Sequence, residues 1–357
     1  MRFRSRCRST TNAPHQVRRP SPSSLAGEVR GGGPEAGPGH FRLALTAALA
    51  LGLFPLASVP APAGTVLDRV RAEHTLRCGT VERPGFAAAG ADGGISGLAV
   101  DLCRAVAIAV LGRAGRAEFQ LYDSMRAFDA VRHGADELFF LDEADITEQH
   151  LVPFVLPGPT VFYEPSTLLV PLASIVQRPQ DLAGATICLM IGSTGQRAVE
   201  ATSARLGISF TRLGFQEDVE MLDAYNVQKC QAMAGDATYL AELSRDRGVN
   251  GLASRMLSPP LALRPIVAAT SVEDGRWAAL VAWVLNAELL TGAPASSWRP
   301  DPPRLKALGL RPTWRAEVDA AVGSYPEMVH RHFAPLHLEP GANALWPEGL
   351  LTPLLVP

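Results

Sequence analysis

From Leu76 onward the chain alternates short apolar runs with longer stretches whose apolar residues recur at helical spacing. Residues 75–81 and 117–121 read as strands, and 99–111 and 126–133 read as helices. A second set begins with the apolar run 185–191, turns through Gly192-Ser193-Thr194-Gly195, and continues as a helix to about residue 206. Strand 209–213, helix 218–226, strand 230–234 and helix 237–246 follow. Alternation of this kind defines an α/β fold with a largely parallel sheet, here in two βαβ lobes.

Two extended apolar segments, 167–171 and 261–268, pass between the sets. A double crossing between the same two lobes makes a hinge, and a hinge lets a cleft close on a small ligand. The remainder reads as a helix over 277–290, a Pro-rich joint over 294–303 and an amphipathic helix over 313–332, packed on the first lobe.

Ahead of these elements, residues 41–56 form an apolar run behind Arg42, shorter than the roughly 20 residues that a spanning helix needs. Ala61-Pro62-Ala63 offers a small-x-small cleavage site, so residues 1–63 are expected to be a removed leader and the remainder to reach the periplasm. Residues 1–40 are rich in Pro, Gly and Arg and carry no periodicity. The whole chain of 357 residues has a net charge of −2, but residues 1–63 hold eight Arg against Glu28 and Glu35, leaving 25 basic and 33 acidic residues, a balance of −8. A body that acidic is a poor partner for nucleic acid or an anionic membrane. With 47% hydrophobic and 19% charged residues it has material for one or two sizeable cores.

Export changes the meaning of the cysteines. Cys7 falls in the leader, leaving Cys78, Cys103, Cys188 and Cys230 in an oxidising compartment. Of the three possible pairings, Cys78–Cys103 with Cys188–Cys230 keeps each bond inside one lobe; buried free thiols are the alternative. No two of the four stand at the short C-x₂₋₄-C spacing that zinc prefers.

Four stretches, in order, carry a family resemblance. They are Arg77-Cys78-Gly79-Thr80 with Pro84-Gly85-Phe86; Gly97-Leu98-Ala99-Val100-Asp101-Leu102-Cys103-Arg104; Asp181-Leu182-Ala183-Gly184-Ala185-Thr186-Ile187-Cys188 leading into Gly192-Ser193-Thr194; and Gly341-Ala342-Asn343-Ala344-Leu345-Trp346. Together they resemble the solute-binding proteins, family 3, of polar-amino-acid ABC transporters, in particular the general L-amino-acid branch. The resemblance implies a type II periplasmic binding protein: two Rossmann-like lobes, 64–168 plus 266–357 and 169–265, joined by a double-crossover hinge. It further implies a small-molecule ligand between the lobes, a membrane permease of an ABC importer as partner, a monomeric carrier and no cofactor.

The same resemblance assigns site residues. Ser193 and Thr194 match a hydroxyl pair at a helix start in lobe two, where free N–H groups favour a carboxylate; N-capping requires the same residue types. Asp236 matches the carboxylate that grips a ligand's ammonium, and it is equally suited to cap the following helix. Phe86 matches an apolar wall against the ligand, with loop packing as its alternative.

Lobe one departs from the pattern. Where the family carries hydroxyl donors and an Arg for the ligand's carboxylate, this chain has Glu137-Leu138-Phe139-Phe140-Leu141-Asp142-Glu143-Ala144-Asp145-Ile146-Thr147-Glu148-Gln149-His150, without Arg. The anchor position falls on Gln149 or His150, and Asp142, Glu143 and Asp145 would repel a carboxylate. Three readings follow: a solvated loop, a pocket rebuilt for an amine-bearing ligand, or an anchor moved to Arg197 or a protonated His150. A metal held by Asp142, Glu143, Asp145 and His150 lacks the glycine turn of a calcium loop.

No catalytic residue is assigned. Glu143 or Glu148 as a general acid would make a hydrolase or dehydratase on the same fold, but no Ser/His/Asp set, phosphate loop or paired-carboxylate pattern accompanies them.

Overall fold

The computed structural model describes residues 66–246, 251–290 and 302–352, so the expected leader and its cleavage site lie outside the described residues. The first elements are α1 (Val66–Glu73), β1 (Thr75–Val81), the two-residue β2 (Ala88–Ala89) and β3 (Ile95–Ser96), α2 (Leu98–Leu111), β4 (Arg116–Tyr122), α3 (Ser124–Arg132), β5 (Leu138–Asp142) and α4 (Glu143–Glu148). The long β6 (Val155–Pro171) leads to β7 (Thr186–Met190), α5 (Thr194–Leu206), β8 (Thr211–Phe215), α6 (Asp218–Asn226), β9 (Ala232–Asp236), α7 (Ala237–Asp246) and β10 (Ser254–Met256). After β11 (Ala262–Ser271) come α8 (Gly275–Leu289), α9 (Pro302–Leu308), α10 (Trp314–Val322) and α11 (Tyr325–Phe333).

Nine strands form one sheet in the order β4-β1-β5-β11-β6-β9-β7-β8, with β10 on β6, and β2 and β3 form a separate antiparallel pair. β1 runs parallel to β4 and β5, and β7 runs parallel to β8 and β9. Between these sets β6 and β11 pair antiparallel with each other, β11 also with β5 and β6 also with β9. The crossing segments are therefore the middle of the sheet itself, and β6 begins well before the short run legible in the sequence.

Burial follows that plan. Leu76, Val106, Trp277, Trp314 and Tyr325 belong to one large cluster around β1, α2, α8, α10 and α11. Leu168, Ile187, Val199 and Ala232 pack on one face of the β7–β9 set, and Met221, Tyr225, Met233 and Leu240 on the other. Bonds Cys78–Cys103 and Cys188–Cys230 tie β1 to α2 and β7 to the approach to β9, which is the pairing that the lobe argument favoured.

The single helix expected over 313–332 is two. Gly323 takes φ +82°, and Ser324 restarts the helix, its backbone N–H and hydroxyl both donating to Glu327 in a capping box. The Pro-rich joint lies largely outside the described residues. No helix among the described residues is long and apolar enough to cross a membrane.

Candidate functional site

The C-terminal ends of β1, β5, β7 and β9 converge on a cavity of about 540 Å³, the place where parallel α/β sheets hold ligands. The loop after β1 supplies Glu82 and Arg83, β5 supplies Asp142, and α4 with its C-cap supplies Asp145, Glu148 and Gln149 at helical spacing. From the second set come Ser193, Thr194, Gly195 and Arg197 at the start of α5, and Asp236 at the end of β9. Arg264, on the crossing strand β11, completes the lining.

The start of α5 sits close against β9. A Cβ on Gly195 would stand 2.8 Å from the Gly235 Cα, so glycine is required for the approach. Ser193 caps the helix by accepting from the Gln196 N–H at 3.1 Å. Thr194 turns its hydroxyl to Asp236 Oδ1 at 2.8 Å, and the Ser166 hydroxyl donates to the same oxygen at 2.9 Å.

A line of alternating charges runs along the cavity floor. Glu164 of β6 forms an ion pair with Arg83 Nε at 3.2 Å, and Arg83 donates to Asp142 at 3.1 Å. Arg264 donates to Asp142 Oδ1 and to Asp236 Oδ2, both at 2.6 Å. Its guanidinium thus joins a carboxylate at the end of β5 to one at the end of β9. Glu164 also accepts from the Thr238 N–H and hydroxyl at 3.3 and 3.0 Å.

Burial sets the protonation of this line. Glu164 is fully buried, and burial pushes its carboxyl up to about 7 against the pull of Arg83. Asp145 is raised to about 6 by burial and then by Asp142. For Arg83 burial works to lower the pKa, but Asp142, Glu164 and Asp236 outweigh it and hold the guanidinium above its ordinary value.

Of the residues singled out in the sequence, Asp142, Asp145, Gln149, Ser193, Thr194, Arg197 and Asp236 line this one cavity. Three do not. Phe86 is fully buried in the core, its ring 5.2 Å from Phe162 and 5.9 Å from Phe140. The loop after β1 folds back through the Ala99 N–H to Phe86 carbonyl bond, which turns the ring inward and leaves Arg83 facing the cavity. The Arg83 guanidinium lies 5.7 Å above the Phe86 ring, so Phe86 supports the cation from beneath. Glu143 is the first, exposed residue of α4, and His150 is exposed beyond its end at φ +55°. Both point off the face that presents Asp145, Glu148 and Gln149.

The stretch 137–150 holds no Arg, but guanidinium groups line the cavity from other elements: Arg83 and Arg264, beside the Arg197 singled out in the sequence. Arg264 left a local trace: Arg264-Pro265 and Glu164-Pro165 each interrupt an apolar strand with a charge, and the two charges pair in register, whereas Arg83 left none. A lone charge inside an apolar strand marks a buried pair. Among the described residues no group of three His, Cys, Asp or Glu is placed to hold a metal ion.

Two antiparallel crossings between two parallel sets, with a cavity at the strand ends, define the type II periplasmic binding protein fold. A solved periplasmic binding protein from Brucella ovis with glutathione bound superposes with a TM-score of 0.65 at 22% identity, covering 80% of this chain and 97% of that one. The general L-amino acid-binding periplasmic protein AapJ of Rhizobium johnstonii is 26% identical over 329 residues, 85% of this chain and 96% of its own. The glutamate/glutamine/aspartate/asparagine-binding protein BztA of Rhodobacter capsulatus is 25% identical over 315 residues, 81% and 92% of the two chains. No family model matches the chain. The chain is likewise similar to a putative amino-acid ABC transporter-binding protein, YhdW of Escherichia coli, 25% identical over 312 residues, 81% of this chain and 91% of that one.

Proposed function

We propose that this chain is the extracytoplasmic solute-binding component of an amino-acid-type ABC importer and holds a small, polar, amine-bearing ligand in the cavity at the strand ends. In this reading residues 64–168 with 266–357 form one lobe and 169–265 the other, β6 and β11 are the hinge, and the permease of the importer is the partner. The observation that carries it is the cavity's charge. Glu82, Asp142, Asp145, Glu148 and Asp236 line it against Arg83, Arg197 and Arg264, and Glu164 lies beneath. An excess of carboxylates in a partly desolvated cleft favours a ligand that brings positive charge. The Ser193 turn offers backbone N–H groups at the start of a 13-residue helix to any acidic group on the same molecule.

The test is a thermal-shift screen of the exported protein against amino acids, polyamines, opines, short peptides and metal salts. A true ligand at a hundredfold excess over its Kd stabilises by about 2.7 kcal/mol. At least one amine-bearing compound is expected to do so. A panel in which only amine-free acids stabilise the protein would refute the ligand class.

A further inference from the structure

The cation seat of this cleft is already filled by the protein. Arg264 places one terminal nitrogen on Asp142 and the other on Asp236, each at 2.6 Å, so a planar guanidinium is clamped between carboxylates from the two parallel sets. Neither carboxylate is free to turn toward a ligand elsewhere. The other oxygen of Asp142 is held by Arg83 at 3.1 Å, and that of Asp236 by the hydroxyls of Ser166 and Thr194. Those holding groups stand on or beside strands and at a helix start, which fixes the two acids.

Arg264 is held differently. It reaches the seat on a long side chain from β11, lines the open cavity, and holds by its two terminal nitrogens while its buried Nε has no hydrogen-bond partner. We propose that Arg264 is a built-in competitor for the ligand: a tethered guanidinium that occupies the seat between Asp142 and Asp236, which a ligand's cation must displace to bind there. The proposal deepens the carrier reading and rests on it for the cavity being the ligand site.

Two consequences follow from the chemistry. A tethered group competes at an effective concentration of about millimolar or more, so Arg264 weakens every cation that uses this seat. The geometry also ranks the cations. Two acids set to receive the two terminal nitrogens of one planar fork fit a guanidinium better than a single ammonium, which is a compact point charge. The ligand class that displaces Arg264 best is therefore a guanidinium-bearing small molecule.

The experiment is isothermal titration of the exported wild-type protein, Arg264→Met and Arg264→Lys with methylguanidinium and methylammonium. Arg264→Met is expected to bind methylguanidinium at least tenfold more tightly than wild type and to gain less for methylammonium. Arg264→Lys retains a cation in the seat and should stay within about threefold of wild type. Should Arg264→Met fail to fold, Arg264→Gln removes the charge while keeping hydrogen-bonding capacity, and the same gain is expected. Methylguanidinium binding by the neutral variant that equals or falls below wild type overturns the proposal. A wild-type protein that binds an amine from the screen without any gain in the neutral variant leaves the carrier reading standing and this one refuted. A gain in the neutral variant with no wild-type ligand in the screen does the reverse.

Discussion

Glu164→Gln tests the electrostatics of the cavity floor. The carboxyl is fully buried on β6, accepts from the Thr238 N–H and hydroxyl, pairs with the Arg83 guanidinium, and faces Asp236 and Arg264 as the other charges in range. Burial lifts its pKa from 4.5 to about 7 in the folded protein. Between those values the folded form holds a proton that the unfolded chain has released. The stabilisation is therefore complete below about pH 4.5 and is lost as pH rises through about 7. At about 1.4 kcal/mol per unit, the loss for this group is about 3 kcal/mol. Glutamine cannot ionise, so the variant lacks this slope. Asp145 and Glu288, raised by burial to about 6 and about 7, are present in both proteins and cancel in the comparison. Urea unfolding followed by tryptophan fluorescence at pH 5, 6, 7 and 8 measures the difference. The stability of Glu164→Gln relative to wild type should rise with pH by up to about 3 kcal/mol. A difference that stays constant, or shrinks with pH, would show that Arg83 keeps Glu164 ionised throughout and would refute the reasoning.

Three further outcomes are expected. Phe86→Ala should cost about 3–5 kcal/mol of stability in chemical denaturation, as a buried aromatic does; a stable variant with lost ligand binding would return Phe86 to the ligand wall. Removing Cys188–Cys230 as a double alanine variant opens a link between residues 42 apart, worth about 4 kcal/mol by the chain-entropy relation, and an unchanged urea midpoint would contradict that. Asp236→Ala should weaken any amine ligand about tenfold to a hundredfold in titration, the worth of a charge-assisted hydrogen bond, whereas unchanged affinity removes Asp236 from the site.

Much of this was legible in the sequence because periodicity and turn residues are local signals. Helices α6 and α7 begin and end where the apolar spacing puts them, and β1 spans the residues expected of it. The two crossings could be seen, but their length could not: β6 runs on through Pro157, Pro159 and Pro165, residues that normally argue against a strand. Glycine at 323 broke the last helix in a place that hydrophobic spacing alone does not reveal. In the site, α4 sorted its acids by face, so Asp145 and Glu148 reach the cavity while Glu143 does not. The strand charge at Arg264 marked a buried pair, but the acids that Arg83 and Arg264 reach in the cavity stayed hidden for a different reason. Their importance arises from partners 59 and 122 residues away, and no local pattern encodes such distances. The stretch 137–150 lacks the arginine of the family pattern, and the guanidinium groups come instead from the neighbouring strand and the preceding loop.

Under the proposed function this protein binds and releases a small amine-bearing solute without altering it. The deciding measurement is to titrate the protein with the strongest compound from the screen, then release the bound compound by denaturation and identify it by mass. One molecule per chain, recovered unchanged after prolonged incubation, is the predicted result. Conversion of the compound, or no saturable binding of any amine, would contradict the claim.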